Sequence, residues 1–451
     1  MHYKKYILLL LFLTVSFSQI QFNRIVPSDY YLGSARSMGI GNTLLTTGNT
    51  SMLILSNPAK ISQINSSIFF QSSYLSSSER RSMIITDMWG DFLTNADYVF
   101  NDNTLLKNAF GFSGSIKTNN QTTIGVGYNY APFLSFNYNY EEEVRSDADL
   151  EDGVIGIDDP IIGYHILKNK GDTYVQSLGF SCSFSSSSNI VSFGIGLNEL
   201  KSTKIEDEVF ISIIDETEYA QNNLSLVENH SSSLQLEREY FSSLSIEFLY
   251  KNNLEIVMSF EDDVQFNSDY FSFSLLSSEG LPYSFGPNYS YTNLEYLYSG
   301  LVYEKPQKYN LGISYQPKYN SDFIIAFEST KKVWKHQALV EYGLNSNPYS
   351  YYFKNDIMEY RFGFEYSPIK GFPIRAGLVY SESPFKVLDD KTTLTLGTGK
   401  SFKNLFLDFA LNYNMLKYSH LDLFPSNTYG FNIDTVKENN LIFLVTMRYE
   451  F

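Results

Sequence analysis

The sequence predicts an all-β protein: a transmembrane antiparallel β-barrel of about fourteen strands, with its N-terminal segment inside as a lumenal plug. Three observations carry the prediction. Segments of about ten residues alternate between apolar and small or polar side chains, which is the period-two signature of a strand with two unlike faces. The connections between them alternate between short and long. The chain is rich in aromatics, with 36 Tyr and 36 Phe, and only 18% of its residues are charged. Mean hydropathy is slightly negative, at -0.19. A helical membrane protein does not average this way, but a barrel does, because lipid-facing and lumen-facing residues alternate along each strand.

The N-terminus reads as a secretory signal over residues 1–18. Lys4 and Lys5 precede an apolar stretch at residues 6–13, and Ser16 and Ser18 stand at a cleavage position. The apolar stretch is too short to span a bilayer as a helix. Residues 19–64 show no strand alternation. They hold Gly33, Gly39, Gly41 and Gly48, an apolar run from Met52 to Leu55, and Asn57-Pro58-Ala59.

From residue 65 to 451 the alternation predicts strands near 65–75, 108–118, 121–131, 173–186, 189–199, 237–250, 254–266, 306–317, 322–333, 356–367, 372–382, 391–401, 405–415 and 440–451. Each is close to the ~10 residues that a tilted strand needs to cross an outer membrane. Leu178, Phe180, Cys182 and Phe184 share one face, as do Tyr360, Phe362, Phe364 and Tyr366, and Leu405 through Tyr413 in steps of two. Short connections, such as Asn119-Asn120 and Lys251-Asn252-Asn253, alternate with long ones at 76–107, 132–172, 200–236, 267–305, 334–355 and 416–438. Short periplasmic turns facing long external loops are the organisation of outer-membrane barrels, and an even strand number puts both chain ends on the short-turn side. A half-buried edge strand of a soluble β-protein would explain the last segment but not this rhythm. The last strand, with Leu441, Phe443, Val445, Met447, Tyr449 and the terminal Phe451 on one face, resembles the assembly signal of bacterial outer-membrane barrels. That resemblance implies the barrel-assembly machinery as a partner.

The faces opposite the apolar ones are lined with small residues: Gly111, Ser113, Gly125 and Gly127, then Ser177, Gly179, Ser181, Gly194 and Gly196, and later Thr393, Thr395, Gly397 and Gly399. Glycine in a strand interior often marks the close approach of another backbone. A barrel this wide needs filling, and residues 19–64 are the available filler. Gly39 and Gly41 allow backbone turns denied to other residues, and Pro58 biases Asn57 away from helix. Gly39, Gly41, Asn57, Pro58 and Ala59 are therefore the candidates for shaping a hatch that gates the lumen, with a static plug as the alternative. Arg361 and Arg375 point inward on neighbouring strands. They could together receive a carboxylate ligand, or they could sit in an ion-pair network with acids such as Glu365.

The net charge of -16 argues against nucleic acid as a partner. No catalytic constellation is visible. The histidines lie apart in sequence, and Gly111-Phe112-Ser113-Gly114-Ser115 lacks the final glycine of a nucleophile elbow. No metal site and no cofactor are expected: Cys182 is the only cysteine. The acidic stretch Asp147-Ala148-Asp149-Leu150-Glu151-Asp152-Gly153 echoes a calcium loop, but its glycine comes one place late, and a solvated external loop is the simpler reading.

The stretch from Tyr31 to Ser62 carries a further pattern. Ala35-Arg36-Ser37-Met38-Gly39 followed by Asn57-Pro58-Ala59 resembles the N-terminal segment of the FadL family of outer-membrane hydrophobic-compound transporters, and of their PorV-like relatives tied to type IX secretion. The resemblance implies a fourteen-strand barrel in the outer membrane of a Gram-negative bacterium, with a lumenal hatch. It also implies passage of long-chain fatty acids or other hydrophobic small molecules by diffusion, with outer-membrane lipids around the wall. The PorV-like alternative is a structural or shuttle component of a secretion system without small-molecule transport. The sequence departs from the family where Thr46-Thr47-Gly48-Asn49-Thr50 replaces the usual acidic residues, and where Ser56 replaces an aromatic before Asn57.

Overall fold

The computed structural model describes residues 28–87, 89, 91–146, 159–222, 229–266, 303–319, 322–335, 355–369, 372–384, 388–421, 423–424 and 433–451. Fourteen strands make the wall: β1 (Ser67–Thr86), β2 (Phe92–Lys117), β3 (Thr122–Ser135), β4 (Asp172–Ser186), β5 (Asn189–Ser202), β6 (Glu239–Tyr250), β7 (Leu254–Glu261), β8 (Gln307–Tyr315), β9 (Phe323–Val333), β10 (Ile357–Ile369), β11 (Phe372–Ser381), β12 (Lys391–Phe402), β13 (Leu405–Leu421) and β14 (Ile433–Glu450). Each pairs antiparallel with its neighbour in sequence, and β14 pairs with β1 from Ser67↔Glu450 to Ser82↔Thr435, so the sheet closes on itself. Closure removes every exposed strand edge, the only way a sheet satisfies its backbone groups in hydrocarbon.

The alternation sorts the faces as the sequence predicts. Phe112, Phe180, Phe193 and Phe362 point outward, each between 46% and 50% exposed. Ser113, Ser181, Ser192 and Gly363, one position away, are buried inside. The wall is thus a transmembrane β-barrel with an apolar belt outside and a small-residue lining within. No helix among the described residues is long and apolar enough to cross a membrane. The short turns are tight enough to force Ser187, Lys251, Asn252 and Lys403 to positive φ.

The long connections differ from the reading of them as plain loops. The 76–107 stretch is mostly strand, because β1 and β2 run on as a long hairpin with only residues 87–91 between them. Likewise β13 continues to Leu421 and β14 begins at Ile433. The stretches 132–172 and 200–236 contribute four strands to a separate sheet, in the order His230–Leu234, Ile205–Ile213, Ile161–Lys170, Tyr138–Arg145. Tyr138, Tyr140, Leu167, Val209 and Phe424 pack with Val99 of β2 into a core beyond the membrane belt. Beneath it Arg81 is fully buried between Glu79 and Asp434, at 2.7 and 3.1 Å, with the Tyr140 ring 5.2 Å away. The acidic stretch at 147–153 lies outside the described residues.

At the loop-side end of β3 the wall departs from a plain ladder. β2 and β3 pair only as far as Phe110↔Tyr130. Ala131–Ser135 continue, buried, along β4, and Ser28–Asp29 take up the edge that β2 leaves, with the Tyr30 N–H donating to Phe133 O at 3.0 Å.

Candidate functional site: the lumen and the segment inside it

From Tyr30 to Ile64 the chain forms two short α-helices, Ala35–Gly39 and Leu44–Thr47, and two 3-10 turns, Ser51–Leu55 and Pro58–Ser62. Ser34 caps the first, accepting from the Ser37 N–H. These elements are too short to be stable alone. What holds them is the barrel lining, since the side chains they meet are the inward ones of β2 through β14.

The fit is closest where wall and segment both lack side chains. A Cβ on Gly377 would stand 2.2 Å from the Gly41 N, and one on Gly194 would stand 2.1 Å from the Ala59 N. Gly39 and Gly397 approach so nearly that a Cβ on either would be 2.9 Å from the other's Cα. Gly41 has φ +68°, a conformation natural to glycine, and its N–H donates to Thr395 Oγ1 at 3.0 Å. On the other side of the lumen Met52, Leu53, Ile54 and Leu55 are buried, and Ile54 lies over Gly127 and Gly179.

Asn57 has φ -139° and ψ 71°, outside the helical region, and Pro58 opens the turn after it. The Asn57 Nδ2 donates to Leu45 O at 2.8 Å and to Glu247 Oε2 at 2.9 Å, while the Ala59 N–H donates to Ser245 Oγ at 2.8 Å. Glu247 is fully buried. Sequence reasoning passed over it, although it shares the inward face of β6 with Ser243 and Ser245. The five hatch candidates are thus all packed against, or bonded to, the wall or their own segment.

Two ionic clusters tie the segment to the wall. Arg36 donates to both oxygens of Glu365, at 2.9 and 3.0 Å. Glu365 also takes Arg375 Nε at 2.6 Å, and Arg375 Nη1 reaches Asp408 at 2.7 Å. Lys60 contacts Glu255 and the carbonyl of Thr46. Arg361 belongs to a different cluster, bonded to Glu359 at 2.6 Å and to Thr330 at 2.9 Å, with Glu328 3.7 Å away. Its cross-strand partner on β11 is Val379, whereas Arg375 faces Glu365. Arg361 and Arg375 therefore do not converge on one spot.

The segment leaves space on both of its sides. On the short-turn side a 310 Å³ cavity is lined by polar and charged groups, including Arg36, Lys60, Glu255 and Arg448. On the loop side a 240 Å³ cavity has Leu44, Leu45 and Leu55 of the segment and Phe133 and Ile442 of the wall in its lining, together with the cations Arg361, Lys308, Lys332 and Lys391 and the acids Glu261, Glu328 and Glu359. Three of those cations pair with wall carboxylates: Lys332 lies 3.1 Å and Arg361 2.6 Å from Glu359, and Lys308 lies 3.5 Å from Glu261. No group of metal-ligating side chains occurs among the described residues. His165 is buried in the loop sheet, 2.5 Å from Glu142 and 2.7 Å from the Tyr219 hydroxyl.

Neither a family model nor a curated protein sequence matches the chain. Solved structures do. A crystal structure of a Pseudomonas aeruginosa FadL homologue superposes with a TM-score of 0.56 at 15% identity, over 93% of this chain and 98% of that one. Two crystal structures of the Pseudomonas putida toluene transporter TodX give TM-scores of 0.54 and 0.52, at 12% and 15% identity. They cover 97% and 94% of this chain, and 100% and 99% of theirs. At such identities the shared feature is the fold, from the first wall strand to the last. The chain has the fourteen-strand fold of the FadL-type outer-membrane barrels.

Proposed function

We propose that the protein lets hydrophobic small molecules, long-chain fatty acids among them, diffuse through its barrel across the outer membrane of a Gram-negative bacterium, and that residues 33–59 are the hatch on that route. The observation that carries the reading is the loop-side cavity. Leucines of the segment line it, three of its cations pair with carboxylates of the wall, and residues of the segment line both it and the polar cavity on the short-turn side. A site of that kind suits an apolar body better than a strongly charged one. The structural neighbours, a FadL homologue and a toluene transporter, support the same class.

The test is a tether. A Cβ on Gly127 would lie 3.4 Å from the Ser51 Cβ, close to the separation of a disulfide. In a Cys182→Ser background, Ser51→Cys with Gly127→Cys should block uptake of oleate and toluene when oxidised and restore it when reduced. Equal uptake in both states, with the crosslink verified by mass spectrometry, would make the segment a static plug. Absence of uptake even without the tether would favour a secretion component. Arg361→Gln separates the ligand classes: if Arg361 receives a carboxylate, oleate uptake falls while toluene uptake holds.

A further inference from the structure

Outward-facing residues can be followed row by row across the seam, where β13, β14, β1 and β2 lie side by side. One row reads Leu411, Phe443, Tyr74, Leu106, all apolar or aromatic. Three rows nearer the loops the same ladder reads Lys417, Lys437, Arg80, Phe100. Three cations stand directly cross-strand, all exposed. Like charges in that arrangement repel, and they do so in a chain whose net charge is -16. Arg80 is partly answered by Asp97 at 3.2 Å and stacks 4.7 Å from the Phe100 ring. Lys417 and Lys437 have no ion pair among the described residues. Asp102, one row below, and Asp389, beside the Leu388–Tyr418 bridge, are the nearby acids, and neither bonds to a lysine.

The height of the row decides what can neutralise it. The last apolar outward positions beneath it are Met415 on β13 and Leu441 on β14, two and four residues away, which is roughly 7 to 13 Å along a strand. The cations therefore sit just beyond the hydrocarbon edge on the loop side, within reach of headgroups, and lysine stems can bend toward that layer. We infer that the row Lys417–Lys437–Arg80 binds the phosphate of an anionic membrane lipid whose acyl chains lie along the apolar rows below. Free phosphate would answer the charges but leave those apolar rows unused. The inference goes beyond the transport reading, since it concerns the outer surface of the wall and not the lumen.

The test uses the full chain in neutral detergent, titrated with phosphatidylglycerol or with phosphatidylcholine of identical chains and followed by native mass spectrometry. Roughly tenfold tighter retention of phosphatidylglycerol is expected. Lys417→Gln with Lys437→Gln should abolish the preference, Lys417→Arg with Lys437→Arg should keep it, and Lys331→Gln, at an exposed lysine beside Asp356, should leave it unchanged. Heat-modifiable migration on gels verifies that each variant is folded. Equal retention of the two lipids, a preference that survives the glutamine pair, or displacement of the lipid by millimolar inorganic phosphate would each overturn the assignment.

Discussion

The barrel wall and the segment inside it are specified in opposite ways. The wall repeats one rule fourteen times: apolar outward, small or polar inward, each strand bonded to its neighbour in sequence. Any one side chain on its outer face matters little, because lipid accepts most apolar shapes. The segment repeats nothing. Its four short elements are held by single contacts that have no substitutes, such as Gly41 against Gly377, Asn57 on Glu247 and Arg36 on Glu365. A redundant pattern tolerates substitution and a set of unique contacts does not, so the two regions should respond to mutation on different scales.

The largest effect should come from filling the backbone contact. Gly377→Val must displace the Gly41 backbone, and overpacking of that kind should cost about 3 kcal/mol, read as a lower urea midpoint of the reconstituted barrel. Gly114→Ala is the control: nothing lies within 4 Å of that position, and stability should hold within about 0.5 kcal/mol. If the two variants behave alike, the wall does not depend on the segment. A smaller effect is expected for Asn57→Ala, which removes the donors to Leu45 O and Glu247 and leaves a buried carboxylate short of a partner. A loss of about 2 kcal/mol should accompany faster proteolysis within residues 44–59. The smallest belongs to the outer face: Leu244→Val, 46% exposed, should shift stability by less than about 0.5 kcal/mol. A large response there would break the contrast.

The same contrast explains what could be read from the sequence. All fourteen wall strands were legible, since lipid on one side and the lumen on the other impose a period of two. The signal faded where lipid ends. Ser76-Ser77-Ser78-Glu79-Arg80-Arg81-Ser82 looks like a polar loop, yet it continues β1. Beyond the hydrocarbon the outward face no longer has to be apolar, and the inward face is covered by Tyr138 and Asp434, which bury Glu79 and Arg81 as partners. Such burial depends on distant residues and leaves no local pattern. Glu142, in the acidic run Glu141-Glu142-Glu143, has the local sequence of a solvated loop, but it bonds to His165. In the lumen, the glycine-lined faces announced a close neighbour without naming which atoms would meet, and the separation of Arg361 from Arg375 followed from register, since Arg375 of β11 faces Glu365, four residues along β10 from Arg361.

The position of Ser28–Asp29 has a consequence for assembly. These residues pair with the loop-side end of β3, while residue 66 joins β1 at the short-turn end, so the chain between them runs the length of the lumen before the wall begins. A completed ring offers no route by which such a thread could be inserted sideways. That leaves two routes, end-on through a mouth of the finished ring, or placement among the strands before β14 meets β1, in which case the last ladder to form is the step that captures it. On the second route the earliest residues of the wall wait for the latest, and the time between them is the interval in which the interior is furnished.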